Sequence, residues 1–173
     1  MTDSGLYRPE QWSNFFVLVG TGSAALTGLV FVALSVNLRD VLKDSTHVYR
    51  AINMLTGFTA VFILSSFALM GTQSHQTVGL EWLIVSLVAG AINTNGYIHG
   101  FRAGASRYAL SLFRIAGGSA CYLGQIVGSA AFLLGFGWGI YLSATALIVN
   151  FFFLVSGSWL LIVGTLRPAN EAP

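Results

Sequence analysis

Five amide side chains fall inside long apolar runs of this sequence, where polar groups are rare and costly in lipid. They are Asn53, Asn93, Asn95, Gln125 and Asn150. Such amides either hydrogen bond to a neighbouring helix, which contributes about 0.6 kcal/mol on average, or line a polar pathway for a solute. The residue types leave both interpretations open.

The third apolar run carries small or polar residues on two sides if it is helical. One stripe is Ser86, Ala89, Gly90, Asn93, Gly96 and Gly100, and the other is Asn95, His99 and Arg102. Because neither side suits lipid, we predict that this helix lies centrally, with neighbours on both sides. We expect Asn53, which lies at a similar depth, to meet Asn95.

Catalytic and metal-binding chemistry finds little support in the sequence. Cys121 lies among small residues with no histidine at its depth to activate the thiol. Glu81 lies near the end of a run, where water can reach it. The histidines His47, His75 and His99 form no His-x₃-His or Glu-x-x-His pair. We therefore expect no enzyme activity, no metal and no cofactor.

Small residues recur every four positions in two of the runs. The first series is Gly20, Ala24 and Gly28, and the second is Ala120, Gly124 and Gly128. Such faces let two helices approach closely, because membrane helices are held together by packing rather than by water exclusion. We expect the first, third and fourth spans to pack through them. Leucine at position 24 or 28 is then expected to disrupt the bundle, whereas Val30→Leu is expected to be tolerated.

The composition identifies lipid as the main solvent of the chain. Of 173 residues, 55% are hydrophobic and 8% are charged, whereas soluble domains carry about 25% charged residues. The net charge of +2 is too small to indicate nucleic acid as a partner. The single cysteine excludes an intramolecular disulfide.

Five apolar runs are long enough to cross a bilayer, which takes about 20 residues. They cover about Phe15–Asn37, Ala51–Gly71, Leu80–Ile98, Ile115–Phe136 and Ile140–Gly164. Because helices satisfy their own backbone in lipid, the fold class is all-α. We predict one integral-membrane domain over residues 1–173, a polytopic bundle of five transmembrane helices.

The orientation follows from the basic residues, which concentrate on the cytoplasmic side of membrane proteins. They lie in the first loop, the third loop and the tail: Arg39, Lys43, Arg50, Arg102, Arg107, Arg114 and Arg167. This pattern predicts the N-terminus outside and the C-terminus inside. Aromatic residues prefer the interfaces and agree with this orientation, with Trp12, Trp82 and Trp138 outside and Tyr49, Tyr97 and Tyr108 inside.

The third loop is the one connection with a pattern of its own. Ser106 is placed to cap a helix on which Arg107 and Arg114 share a face. With Arg102, these residues are expected either to bind anionic lipid headgroups or an acidic partner, at about 1 kcal/mol per charge, or simply to anchor the inner surface.

The segment Trp12–Leu38, WSNFFVLVGTGSAALTGLVFVALSVNL, is followed by a basic loop. It resembles a group of small uncharacterised bacterial multi-pass membrane proteins, some of which are labelled "modulator of FtsH protease". The resemblance implies a bacterial plasma membrane. The protein family to which that label properly belongs has acidic residues in its late helices, whereas the last two spans here contain no Asp or Glu. The resemblance therefore carries over no functional residue.

Two functions remain open from the sequence. The first is a non-enzymatic accessory or regulatory subunit, or a helix-packing homo-oligomer, whose partners are membrane lipids and other helices. The alternative is an oligomeric channel or transporter for an ion or small solute.

Overall fold

The computed structural model describes residues 8–43, 45–71, 73–102 and 108–166, which are helical apart from short connections. The helices are α1 (Pro9–Val36), α2 (Leu38–Lys43), α3 (Ser45–Leu69), α4 (His75–Arg102), α5 (Tyr108–Leu133) and α6 (Trp138–Leu166). The predicted all-α class is confirmed for this part of the chain.

Four of these helices contain segments long and apolar enough to cross a membrane. The segments are Glu10–Val36, His47–Leu69, His75–His99 and Trp138–Trp159. They belong to α1, α3, α4 and α6. The sequence of α5 interrupts its aliphatic residues with glycines and with Gln125. Four of the five predicted spans therefore meet this criterion within the described residues.

The long helices run alternately up and down. Contacts between α4 and α5 join the start of one to the end of the other, as where Gly79 meets Leu133. At the end where α1, α4 and α6 begin, the ring of Phe16 lies 5.5 Å from that of Trp82, and Trp12 lies 5.0 Å from Tyr141. α3 and α5 begin at the opposite end, to which the chain brings Arg39, Lys43 and Arg50.

The core at the first end is aromatic. Phe16, Trp82 and Phe132 are fully buried, and the rings of Trp82 and Phe132 stack at 5.8 Å. The indole nitrogen of Trp82 donates a hydrogen bond to the Leu64 carbonyl at 2.9 Å. The Trp82 ring is therefore covered by protein and not by lipid, because α3 supplies the acceptor that water would supply at the surface; its depth at the outer interface stays a prediction.

The centre of the bundle is α3. It packs against α1, α4 and α6, whereas α4 packs against α3 and α5. The predicted central position of the third span is wrong, because Asn95 and His99 are exposed on its outer side. The predicted packing of α1 on the third and fourth spans is wrong as well, since α1 lies along α3.

Candidate functional site

The inner side of α4 collects the first group of buried amides. Asn93 is buried, as the Ser86–Gly96 stripe predicts, and so is Asn53 on α3. The side-chain nitrogen of Asn53 donates a hydrogen bond to the backbone carbonyl oxygen of Asn93 at 3.3 Å. The side chain of Asn53 lies against Gly96 rather than against the exposed Asn95. The predicted Asn53–Asn95 pair is therefore wrong, and the hydrogen bond is made on the neighbouring face of α4.

Tyr122 on α5 joins this group to α6. Its hydroxyl lies beside the side-chain amides of Asn93 and Asn150. No hydrogen bond of good geometry reaches the hydroxyl from any described residue. Its ring packs between α3 and α4, in contact with Ala60 and Ala89. Tyr122 therefore brings a polar group to the middle of four helices.

Gln125 lies one turn further along α5 and is also buried. Its side-chain nitrogen approaches the Ser129 hydroxyl at 3.5 Å. That hydroxyl donates to the backbone carbonyl oxygen of Gln125 at 2.7 Å. No described group donates a hydrogen bond to the side-chain oxygen Oε1 of Gln125. Gln125 thus retains an acceptor inside the bundle.

A small cavity lies between α3, α4, α5 and α6, and we call it the central cavity. Four of the eleven residues that line it have polar side chains, Ser86, Tyr122, Gln125 and Asn150, and Cys121 also borders it. The structure therefore brings Gln125 and Asn150 together around one space and places Asn93 next to them through Tyr122. Asn95 faces away from this group.

The sequence reasoning missed Tyr122. Tyrosine prefers the membrane interface, so a tyrosine in the middle of an apolar run was the signal that could have found it. Its hydroxyl needs a polar partner when buried, and Gln125 lies three residues away on the same helix.

Only part of each small-residue series packs closely against another helix, and the partners are not the spans that were expected. A Cβ at Gly20 would lie 3.0 Å from the Ser65 Cβ of α3, whereas a Cβ at Gly28 would meet nothing within 4 Å. Ala24 is exposed. A step of four residues exceeds a helical turn of 3.6 residues, so the series rotates by about 40° per step. The series therefore leaves the α3 interface after Gly20.

The second series behaves in the same way along α5. A Cβ at Gly128 would lie 3.0 Å from the Gly139 carbonyl oxygen of α6, and one at Gly124 would lie 3.5 Å from the Ala146 Cβ. Ala120, the remaining member, is exposed. Close packing of α5 on α6 thus uses Gly124 and Gly128, with Gly139 as a partner that the sequence analysis did not identify.

The remaining reactive side chains lie apart from this site. The carboxylate of Glu81 accepts hydrogen bonds from Gln73 at 3.2 Å, and the His99 ring stacks on Tyr49 at 5.1 Å. Within the described residues, no group of three His, Cys, Asp or Glu side chains is placed to hold a metal.

Two of the three arginines predicted for lipid or partner contact, Arg102 and Arg114, lie at the end where α4 finishes and α5 begins. Arg102 is the last residue of α4, and Arg114 lies near the start of α5. Arg107 lies outside the described residues, and so does Ser106, the residue predicted to cap this helix.

Comparison with protein-family models, with curated proteins and with solved structures finds no match.

Proposed function

We propose that this chain is a non-enzymatic integral membrane protein that packs against other transmembrane helices, as an accessory or regulatory subunit or as a homo-oligomer. The observation that carries the proposal is a surface of α1 that none of the described residues covers. It consists of Thr21, Ala24, Ala25 and Gly28, all exposed, and we call it the α1 small-residue surface.

Lipid tails gain little from such a surface, whereas another helix gains close backbone contact. The residues around it are large, and Leu29, Phe31 and Val32 are each at least 60% exposed. The surface is thus a shallow depression in an otherwise bulky helix side. Gly28 lies at its inner end, with open space beyond it.

The exposed Asn95 supports the same function. Its amide lies on an α4 side that also exposes Leu87, Val88 and Ile98. An amide on a side facing lipid lacks partners that a second helix can supply. A neighbouring helix at this side would satisfy it.

We further propose five spans, with the N-terminus outside and the C-terminus inside. α5 supports the fifth span, because it packs along both α4 and α6, each of which contains a membrane-capable segment. Arg39 and Lys43 are exposed at the proposed inner end, where basic residues are favoured. The resemblance of Trp12–Leu38 supports a bacterial plasma membrane.

Photo-crosslinking in native membranes tests the packing function. In a Cys121→Ala background, Gly28→Cys is labelled with a thiol-reactive photo-crosslinker, and Ile148→Cys on the exposed side of α6 is the control. We expect discrete adducts from position 28 and diffuse lipid labelling from position 148. Adducts of twice the chain mass identify a homo-oligomer, and adducts of another defined mass identify an accessory subunit. Equal, diffuse labelling at both positions contradicts the proposal.

The second candidate is an oligomeric channel or transporter for an ion or small solute. It is favoured by the buried amides Asn93, Gln125 and Asn150, two of which, Gln125 and Asn150, line the central cavity. Reconstituted vesicles test it. Flux of a solute or ion through the wild-type chain supports this candidate over the first if Gln125→Leu abolishes the flux and the control variant Gln73→Leu retains it.

A further inference from the structure

We propose that the central cavity binds one water molecule, held by the Tyr122 hydroxyl and by the side-chain amides of Gln125 and Asn150. This inference is independent of the packing function, because it concerns the inside of a single chain.

The size of the cavity fits a single water molecule. The space open to the centre of a water-sized sphere is about 10 Å³, which is close to the smallest volume that holds one water molecule. A larger polar solute would have to push apart Leu64, Leu147 and Ala146, which also line the cavity.

The hydrogen-bonding groups around the cavity fit water as well. Gln125 Oε1 and the Tyr122 hydroxyl are buried, and no described residue donates a hydrogen bond to either. Buried polar atoms of this kind are usually paired with protein or with ordered water. A water molecule can donate to both oxygens and accept from an amide nitrogen, which gives it about the three bonds typical of buried water.

The uncharged lining of the cavity favours a neutral occupant over a cation. All eleven side chains that line it are uncharged types. A buried ion without a charge of opposite sign is far more costly than a buried water molecule. A small metal cation also prefers six or more oxygen ligands, and only four of the residues that line this cavity carry a side-chain oxygen.

The bound water would join two helices that otherwise meet through small residues. Tyr122 and Gln125 belong to α5, and Asn150 belongs to α6. One water molecule bound to all three side chains therefore bridges α5 and α6. The water provides that bridge within the bundle, where lipid does not compete for it.

A high-resolution crystal structure of the full chain grown in a lipid phase is the direct test. We expect a spherical density within hydrogen-bonding distance of Gln125 Oε1 and the Tyr122 hydroxyl. A map that shows other ordered waters and none here overturns the proposal. A density that gives a thallium anomalous signal after exchange into thallous salt also overturns it, since the occupant is then a cation.

Infrared spectroscopy provides a second test that does not depend on a map. In the wild-type chain we expect an internal O–D stretching band that shifts in heavy-oxygen water. The band is expected to disappear in Gln125→Met and to weaken or shift in Tyr122→Phe. It should remain in Tyr141→Phe, which makes the same change at an exposed tyrosine. A band unchanged in all three variants overturns the proposal.

Discussion

The side chain of Asn53 fills the space that a Cβ atom at Gly96 would need. The same side chain donates its hydrogen bond to the Asn93 carbonyl at 3.3 Å. The Asn53 side chain of α3 can therefore approach α4 this closely only because residue 96 has no side chain. Glycine at position 96 is required for this approach and not for a backbone turn, since it lies inside a continuous helix.

Gly96→Ala is expected to destabilise the bundle, because the added methyl group displaces the Asn53 amide. Overpacking of this kind typically costs about 1–3 kcal/mol. Thermal unfolding in detergent, followed by tryptophan fluorescence, measures the effect. Gly28→Ala is the matched control and should be neutral or stabilising, because its Cβ enters open space and alanine favours helix by about 1 kcal/mol. Equal melting temperatures for the two variants contradict this account.

Gly139→Ala is expected to be more harmful than Gly124→Ala, although both change the α5–α6 interface. A Cβ at Gly139 would lie 2.6 Å from the Gly128 carbonyl oxygen and 2.5 Å from the Phe132 nitrogen, whereas one at Gly124 would lie 3.5 Å from a methyl group. Backbone atoms cannot rotate aside as a side chain can. The same unfolding assay should give a clearly lower melting temperature for Gly139→Ala, and the reverse order would be inconsistent with the packing described.

Ser23→Ala is expected to weaken the attachment of α1 to α3. The Ser23 hydroxyl donates to the Phe58 carbonyl oxygen at 2.5 Å, between two helices. Its loss should cost about 0.6 kcal/mol, the average for such bonds in a membrane bundle. Ser35 donates to Phe31 within its own helix at 2.8 Å, so Ser35→Ala should be near neutral. Proteolytic release of α1 from the detergent-solubilised chain would report the difference.

Gly28→Leu is expected to be neutral or stabilising in the isolated chain, which reverses the expectation from the sequence. The position faces open space, whereas Val30 is buried in the core at 5% exposure. Val30→Leu should therefore be the destabilising change of the two. Melting temperatures in detergent decide between these orders. If Gly28 is part of an interface between chains, Gly28→Leu should also reduce the assembly observed by size-exclusion chromatography.

The sequence was sufficient to predict the five long helices, though not α2, and most of the buried stripe on α4. Ser86, Ala89, Asn93 and Gly96 are all buried, because small and polar residues that share one helical face need protein neighbours in lipid. Hydropathy identifies such faces from a single chain segment. It does not require a partner segment to be known.

The partners of each face could not be predicted in the same way. Asn95 and His99 form an equally regular stripe, yet they are exposed, because the neighbours of α4 lie on its other side. The four-residue series on α1 also misled, since its rotation of about 40° per step separates Gly20 from Gly28. Which helix occupies a face depends on the whole bundle and is not encoded in the spacing of that face.

The connection between α5 and α6 bears on how the protein enters its membrane. It consists of residues 134–137, and Gly135 ends α5 in the left-handed conformation at φ 87°, a common way for a helix to stop. So short a link keeps the two helices side by side from the moment both are synthesised. The helix interrupted by glycines and Gln125 therefore has the strongly apolar α6 as its immediate neighbour. With α5 as the proposed fifth span, we expect the pair to enter the membrane together as a helical hairpin.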